Sequence, residues 1–507
     1  MFMKKLVATS LTATLAFSAF TAFDVQAKTA STVSYKTALK DGAAFTYAMN
    51  KTPDAKSGGT VLTLAKAKFP VAKNYYDTYY KAVAKEAKAG FTNYTSVSNY
   101  ATAIIGLTAI GKDATNVDGV NVVEHMLAFA AAQKQKAETD ASFALLEMDY
   151  YWMLTALDAK QYAVAEAYEA DFSREAIVQF LIDHAYTTGG FSWGSASEWA
   201  TGPDVDSTAM AVISLAPYAT EQRVKEVIED SFTYIKSQMG AQAGFFSEWA
   251  KGDSPESVSQ LILAQIANGQ NPQTDAQFIL DNGAWTVANL LTSYDATLHA
   301  FKTSANGSVN QISSQQATQA LTAYDTQTSY YDLTKATAPN TFDTTAPKAA
   351  TVKTVSDKST VVKGKAERYA TVTVKAGKKV LASKLAEGDG TYTLSIAKQK
   401  AGQTLTVTVT DTAGNVSTTT KTKVVDKTAP SKPVVKAVKA GQKKVTGKAE
   451  KGAKVIVTIN SKKYSAKADT KGKFSVKIPA QKAKAVLKVT AKDKAGNVSK
   501  ATTVKVK

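Results

Sequence analysis

The second part of this chain is written twice, and that duplication limits the folds open to it. Thr345-Ala346-Pro347 returns as Thr428-Ala429-Pro430, and Gly364-Lys365-Ala366-Glu367 returns as Gly447-Lys448-Ala449-Glu450, both 83 residues on. Ala413-Gly414-Asn415-Val416-Ser417 returns as Ala495-Gly496-Asn497-Val498-Ser499, 82 residues on. Each copy must therefore be a unit that buries its own core. Within a copy apolar and polar residues alternate, as in Thr371-Val372-Thr373-Val374 and Leu405-Thr406-Val407-Thr408-Val409. A period of two marks strands buried on one face. Short strands joined by Gly-, Asp- and Asn-bearing turns in a unit of about 80 residues predict a sandwich of two sheets.

Both copies open on Thr-Ala-Pro and close on Asp-x-Ala-Gly-Asn-x-Ser, which runs from Asp411 to Ser417 and from Asp493 to Ser499. In this they resemble the bacterial Ig-like modules arrayed on surface proteins. The resemblance implies all-β Ig-like sandwiches at 345–426 and 428–507 and carries no information about a ligand. Asp411, Asp426 and Asp493 are candidates for calcium at the module ends, since carboxylates suit that ion.

The preceding part has a different texture. Apolar residues recur at helical spacing in Ala- and Leu-rich stretches, predicting helices over 75–87, 100–110, 120–132, 143–157, 174–185, 207–218, 222–238, 257–267 and 317–324. The segment 333–344 has no apolar periodicity and reads as a linker. The helical part also repeats. Gly190-Phe191 recurs as Gly244-Phe245, and Glu198-Trp199-Ala200 as Glu248-Trp249-Ala250. Helix starts follow in register at Asp206-Ser207-Thr208-Ala209 and Glu256-Ser257-Val258-Ser259, with a weaker third copy at Gln316-Ala317-Thr318-Gln319. A repeat of about 50–60 residues holding two helices is the unit of an α/α array.

Charge separates the two parts. From Thr345 onward there are 37 basic and 9 acidic residues, a net charge of +28, although the whole chain carries only +18. At the other end Lys4 and Lys5 precede a mostly apolar run from 6 to 23, and Val25-Gln26-Ala27 offers small residues for cleavage before Lys28. Residues 1–27 thus read as a secretory signal, leaving an acidic head at 28–332 with a net charge of −11. An exported chain with a basic tail points to anionic polymers of the cell wall and not to nucleic acid. The alternative is that the lysines only keep β-modules soluble and discourage edge pairing. No transmembrane anchor and no sorting motif follow Val504-Lys505-Val506-Lys507, so retention is expected to be non-covalent or absent.

The absence of cysteine removes disulfides, thiolate metal sites and cysteine nucleophiles. His125, His184 and His299 lack metal-binding spacing, so neither a metal nor a cofactor is expected.

The runs Gly189-Gly190-Phe191-Ser192-Trp193, Pro203-Asp204-Val205-Asp206-Ser207-Thr208-Ala209-Met210-Ala211 and Leu215-Ala216-Pro217-Tyr218 resemble the prenyltransferase/squalene-cyclase repeat. That resemblance covers about 94–324 and implies an α/α toroid, with inner helices around a centre and outer helices around them. The pattern also resembles that of exported bacterial surface proteins with this toroid, themselves similar to the cobalamin-carrier toroid. Class II terpene cyclases use Asp-x-Asp-Asp, in which the middle acid donates a proton; Asp204 and Asp206 match two acids, but Ser207 replaces the last. Asp206 also stands where a residue would cap an inner helix.

Glu198, Trp199, Asp204, Asp206, Glu248, Trp249, Asp253 and Glu256 all lie in loops leading into proposed inner helices. Such loops tend to surround one mouth of a toroid. Tryptophan beside carboxylates suits a sugar ring or another flat ligand. The expectation is a non-catalytic binding head on a basic Ig-like tail. The alternatives are a polysaccharide hydrolase or lyase, which needs two carboxylates flanking a bond, and a carrier of a small cofactor such as a cobamide.

Overall fold

The computed structural model describes residues 33–194 and 202–507, so the expected signal segment lies outside the described residues. The helical head is a closed ring of helix pairs. In chain order these are α1 (Tyr35–Met49) with α2 (Gly58–Lys66), α3 (Tyr75–Lys88) with α4 (Val97–Ala109), and α5 (Val122–Ala137) with α6 (Glu147–Asp158). A short α7 (Glu166–Phe172) precedes α8 (Arg174–His184) and α9 (Val205–Leu215), then α10 (Gln222–Ser237) with α11 (Pro255–Ala267), and α12 (Thr286–Thr292) with α13 (Gln311–Thr326). The inner helices α2, α4, α6, α9, α11 and α13 each pack on the next, and α13 returns to α2. This is the α/α toroid.

Burial separates the two layers. The outer helix α10 buries Val224, Ile228, Phe232 and Ile235, one stripe of a helix otherwise in water. The inner helix α11 buries Val258 to Ile266 without a break. Its neighbours are helices on every side, so small and polar residues fill the contacts. Where α2 crosses α4 the backbones touch. A Cβ on Gly58 would sit 2.1 Å from the Thr102 carbonyl oxygen, and one on Gly106 would sit 2.8 Å from the Gly58 Cα. Across the ring, Gln319 donates to Thr63 at 2.9 Å, Thr60 donates to Gln315 at 2.9 Å, and Gln260 donates to Gln316 at 3.2 Å.

The residues read as a linker pack against the head. Tyr330 is buried, the Leu333 amide donates to the Ala159 carbonyl at 3.0 Å, and Val71 bridges Phe342. This strap crosses the end of the ring where the inner helices finish.

Each tail module is a sandwich of a three-stranded and a four-stranded sheet. In the first, β5 (Thr351–Val352), β6 (Val361–Lys365) and β9 (Thr391–Ser395) face β11 (Thr420–Lys423), β10 (Thr404–Thr410), β7 (Thr371–Ala376) and β8 (Lys379–Leu385), each in spatial order. In the second, β12 (Val434–Val435), β13 (Lys444–Lys448) and β16 (Lys473–Lys477) face β15 (Lys462–Lys467), β14 (Lys454–Ile459), β17 (Val486–Lys492) and β18 (Thr502–Lys505). Two short hairpins in the head complete the strands: β1 (Phe246–Ser247) with β2 (Gly252–Asp253), and β3 (Tyr294–Asp295) with β4 (Ala300–Phe301).

The closing signature has a physical role. Asn415 donates to Asp411 at 2.9 Å and to the Asp343 carbonyl at 3.1 Å; Asn497 donates to Asp493 at 2.8 Å and to the Asp426 carbonyl at 3.2 Å. The last hairpin of each module is thereby tied to the chain entering that module. These bonds engage Asp411 and Asp493, two of the calcium candidates.

Head and first module meet at a buried carboxylate. Asp41, on α1, accepts from Arg368 of the module, from Tyr294 at 2.5 Å and from His299 at 2.7 Å. Burial alone would raise the Asp41 carboxyl, but hydrogen bonds from Arg368, Tyr294 and His299 overcome it and hold it below the usual range. Tyr369 donates to the Leu298 carbonyl, and Tyr47 donates to the Thr412 carbonyl at 3.0 Å. Arg368→Ala removes one partner and leaves the Asp41 charge buried, so it should cost about 3 kcal/mol. Urea unfolding of the full chain reads this. The difference should shrink as pH falls below the ordinary aspartate range, where protonated Asp41 no longer needs the guanidinium.

Candidate binding site at the mouth of the toroid

Three consecutive inner helices begin in the same way. In each, the capping residue donates its amide to the carbonyl of a buried phenylalanine that precedes it in the chain. The pairs are Asp204 to Phe191 at 2.9 Å, Ser254 to Phe245 at 2.8 Å, and Asn310 to Phe301 at 2.9 Å. Each capping side chain then accepts from the amide three residues on, at Ser207, Ser257 and Ser313. Each cap contributes about 1 kcal/mol. Gly190 takes φ +87° at the first of these turns, where a Cβ would meet the Tyr234 ring at 2.7 Å.

This pattern corrects two sequence expectations. The cap of α9 is Asp204, so Asp206 lies inside the first turn and does not cap it. The third copy aligns Ile312-Ser313-Ser314 with Asp206-Ser207-Thr208, four residues before Gln316. A shift of one helical turn keeps the apolar face in phase, which is why periodicity alone selects the wrong turn.

The arrangement links neighbouring helices. Asp206 and Glu256 occupy equivalent positions, two residues past their caps. Glu256 accepts from Ser313 at the start of α13 and from Ser254 at 3.1 Å. Asp206 lies beside Ser257 at the start of α11, with Oδ1 sealed from water and, among the described residues, without a hydrogen bond. Burial, opposed by a hydrogen bond from Ser257 and reinforced by the charges of Asp204 and Glu256, pushes the Asp206 carboxyl up to about 6.

The remaining candidates do not converge on these two acids. Asp253 accepts from Asn289 at 2.7 Å and pins the β1–β2 hairpin to α12. Glu248 pairs with Lys251 at 2.7 Å on the hairpin tip, in water. Trp249 is 78% exposed and Phe246 is 65% exposed on the same hairpin, which leads directly into α11. Glu198 and Trp199 lie outside the described residues. Sequence reasoning singled out neither Ser257 nor Ser313 as a partner of the acids, although both stand in the repeat.

Below the mouth the ring is filled. Tyr151, Trp152, Thr155, Met210, Ile213, Gln260 and Tyr331 surround a void of about 10 Å³, close to the size of one water. Tyr331 comes from the strap. Farther along, a 300 Å³ cavity opens between the inner-helix ends and the strap, lined in part by Thr155, Asp158, Ser214 and Asp332. Asp158 is already held there by Arg174 at 2.6 Å and Tyr218 at 2.8 Å. Among the described residues no helix is long and apolar enough to cross a membrane.

Comparison with known proteins identifies the tail modules. Residues 346–426 and 429–507 match the bacterial Ig domain family. A cell wall-associated protease of Bacillus subtilis (strain 168) is 43% identical over 136 residues, which is 26% of this chain and 15% of that protein. The chain thus spans only a small part of that relative. Among solved structures, the unsaturated glucuronyl hydrolase of Bacillus sp. GL1 aligns with 59% of this chain and 99% of its own, at 10% identity and a TM-score of 0.44. A Ca2+-stabilized adhesin with which an Antarctic bacterium binds ice aligns with 33% of this chain and 50% of its own, at 23% identity and a TM-score of 0.19.

Asp206→Asn tests the strain at the mouth. Between about pH 4 and 6 the unfolded chain releases this proton while the folded chain keeps it, so stability falls as pH rises through that window, by on the order of 2–3 kcal/mol. The variant lacks this penalty. It should be more stable than the parent at pH 7, with the gap closing toward pH 4, as read by denaturant titration at both values. A gap independent of pH would show that Asp206 ionises normally.

Proposed function

We propose that this is an exported cell-surface protein whose toroid recognises a glycan or other small polar ligand at its acidic mouth, while the basic Ig-like tail contacts anionic polymers of the envelope. The observation that carries the reading is a filled ring with carboxylates at its rim. A terpene cyclase needs a deep dry cavity around its cation, and the plugged centre instead favours a ligand held at the surface. The half-buried Glu256 can accept a hydrogen bond from a hydroxyl, and on the hairpin that leads into the same helix the exposed Trp249 and Phe246 offer faces for a sugar ring. The prenyltransferase/squalene-cyclase type of repeat belongs to the same proposal. The signature Ig modules and the similarity to a cell wall-associated protease support a surface location.

Hydrolysis of an envelope polysaccharide is the second reading. The raised Asp206 carboxyl favours it, because an acid that keeps its proton up to about pH 6 can donate it there.

Two measurements on the full chain test the proposal. Binding of soluble wall glycan fragments, followed by tryptophan fluorescence, should weaken by about tenfold in Trp249→Ala and also in Glu256→Gln, with no release of reducing ends. Turnover abolished by Asp206→Asn would select the hydrolase instead. Chain bound to isolated cell walls should be released as salt rises from about 0.05 to 0.5 M, where surface charge is screened; retention at the higher salt contradicts envelope contact through charge.

A further inference from the structure

The tail's charge is divided unequally between two modules of one fold. Residues 429–507 hold 22 lysines and three acidic residues, a net charge of +19, whereas 346–426 holds 14 basic and six acidic residues, a net charge of +8. The excess has a definite place. On β14, Val455, Val457 and Ile459 face the core, which turns Lys454, Ile456 and Thr458 outward. Lys454 stands opposite Lys467 of β15 on one side and opposite Lys492 of β17 on the other. Three exposed lysines therefore lie in one rank across three adjacent strands, at steps of about 5 Å. Four residues along, Thr458 lies between Lys463 and Lys488. Lys505 of β18, opposite Val486, extends the same face.

Nothing within the module neutralises this rank. Among the described residues the ion pairs reach no farther along the chain than Lys384 with Glu387. Asp469 and Asp493 are turned into their own hairpins, accepting from the Lys473 amide and from Asn497. Like charges set directly opposite each other across a sheet weaken it. The fold does not require them, because the first module places Leu385, Thr371 and Thr410 at the corresponding registers.

We infer that the outer face of the β15–β14–β17–β18 sheet of the second module is a binding surface for a linear phosphodiester polymer, with the less basic first module serving as a spacer. This deepens the envelope reading above and rests on it. Lysine suits such a ligand. Its ammonium meets phosphate as a point charge without the fixed fork of arginine, so successive phosphates can occupy successive lysines without strict register. The continuous sheet face lets several lysines act on one chain at once, which multiplies weak contacts.

The test uses the full chain and purified glycerol-phosphate teichoic acid at about 0.15 M salt. The variant Lys454→Thr, Lys467→Leu, Lys492→Thr gives the second module the residues that the first carries at those registers, so its fold should be retained; circular dichroism checks this. A second variant, Lys436→Ala, Lys471→Ala, Lys482→Ala, removes the same charge from exposed positions outside the four-stranded sheet. The rank variant should weaken binding by about tenfold or more and flatten its salt dependence, and the second variant by no more than about twofold. Equal losses in both would overturn the surface and leave the envelope reading standing, with net charge as its cause. No binding by the unaltered chain would remove both.

Discussion

All of the head's chemistry depends on one backbone hydrogen bond made three times, from a capping residue to the carbonyl of a phenylalanine that has already been buried. Phe191, Phe245 and Phe301 are anchored in the core, and each fixes where the next inner helix begins. Because three starts are set this way, the first turns of α9, α11 and α13 stand side by side at one mouth. The positive ends of their dipoles are gathered there, which favours carboxylates in the first turn. Asp206 and Glu256 are placed by this geometry, and so is the conflict between them. A dipole welcomes one buried acid; the proximity of Asp204 and Glu256 makes a second ionisation in the same space costly.

Much of this was legible in the sequence, for identifiable reasons. The tail strands could be read because one face of each is buried and the period is two; Leu405, Val407 and Val409 leave little choice of register. The inner helices α9 and α11 could be read from the Phe and acid-Ser repeat. The sequence did not reveal α1 and α2. The first turn of α2 is Gly58-Gly59, a pair that signals a loop unless the close crossing with α4 is known. The site was half legible. The repeat identifies Asp206 and Glu256 as equivalent, but not that each leans on a serine of the next helix, and Asp253 resembles them in sequence while serving only to hold a hairpin. The contact between head and tail was invisible, since Asp41 meets residues 258 and 327 positions away.

The two halves of the chain use charge in opposite ways. In the head the acids are few at the mouth, partly buried, and tuned by their neighbours. In the second module the lysines are many, exposed and unpaired, so their effect is collective and decays with salt. A ligand in the mouth would be selected by shape and hydrogen bonds, and a polymer on the sheet by charge spacing.

The Asp41 junction also has a mechanical meaning. Arg368 and Tyr369 reach back onto α1 and the β3–β4 hairpin, while the chain itself enters the first module only after the strap has crossed the ring. A pull on the tail is therefore carried first by the Arg368–Asp41 contact in parallel with the strap. The strap, whose Tyr331 plugs the ring, bears load alone only after that contact and the Tyr369–Leu298 and Tyr47–Thr412 hydrogen bonds part. Tension on an anchored tail would reach the helical core in two stages, and the second would begin by drawing on the residue that keeps the ring's centre closed.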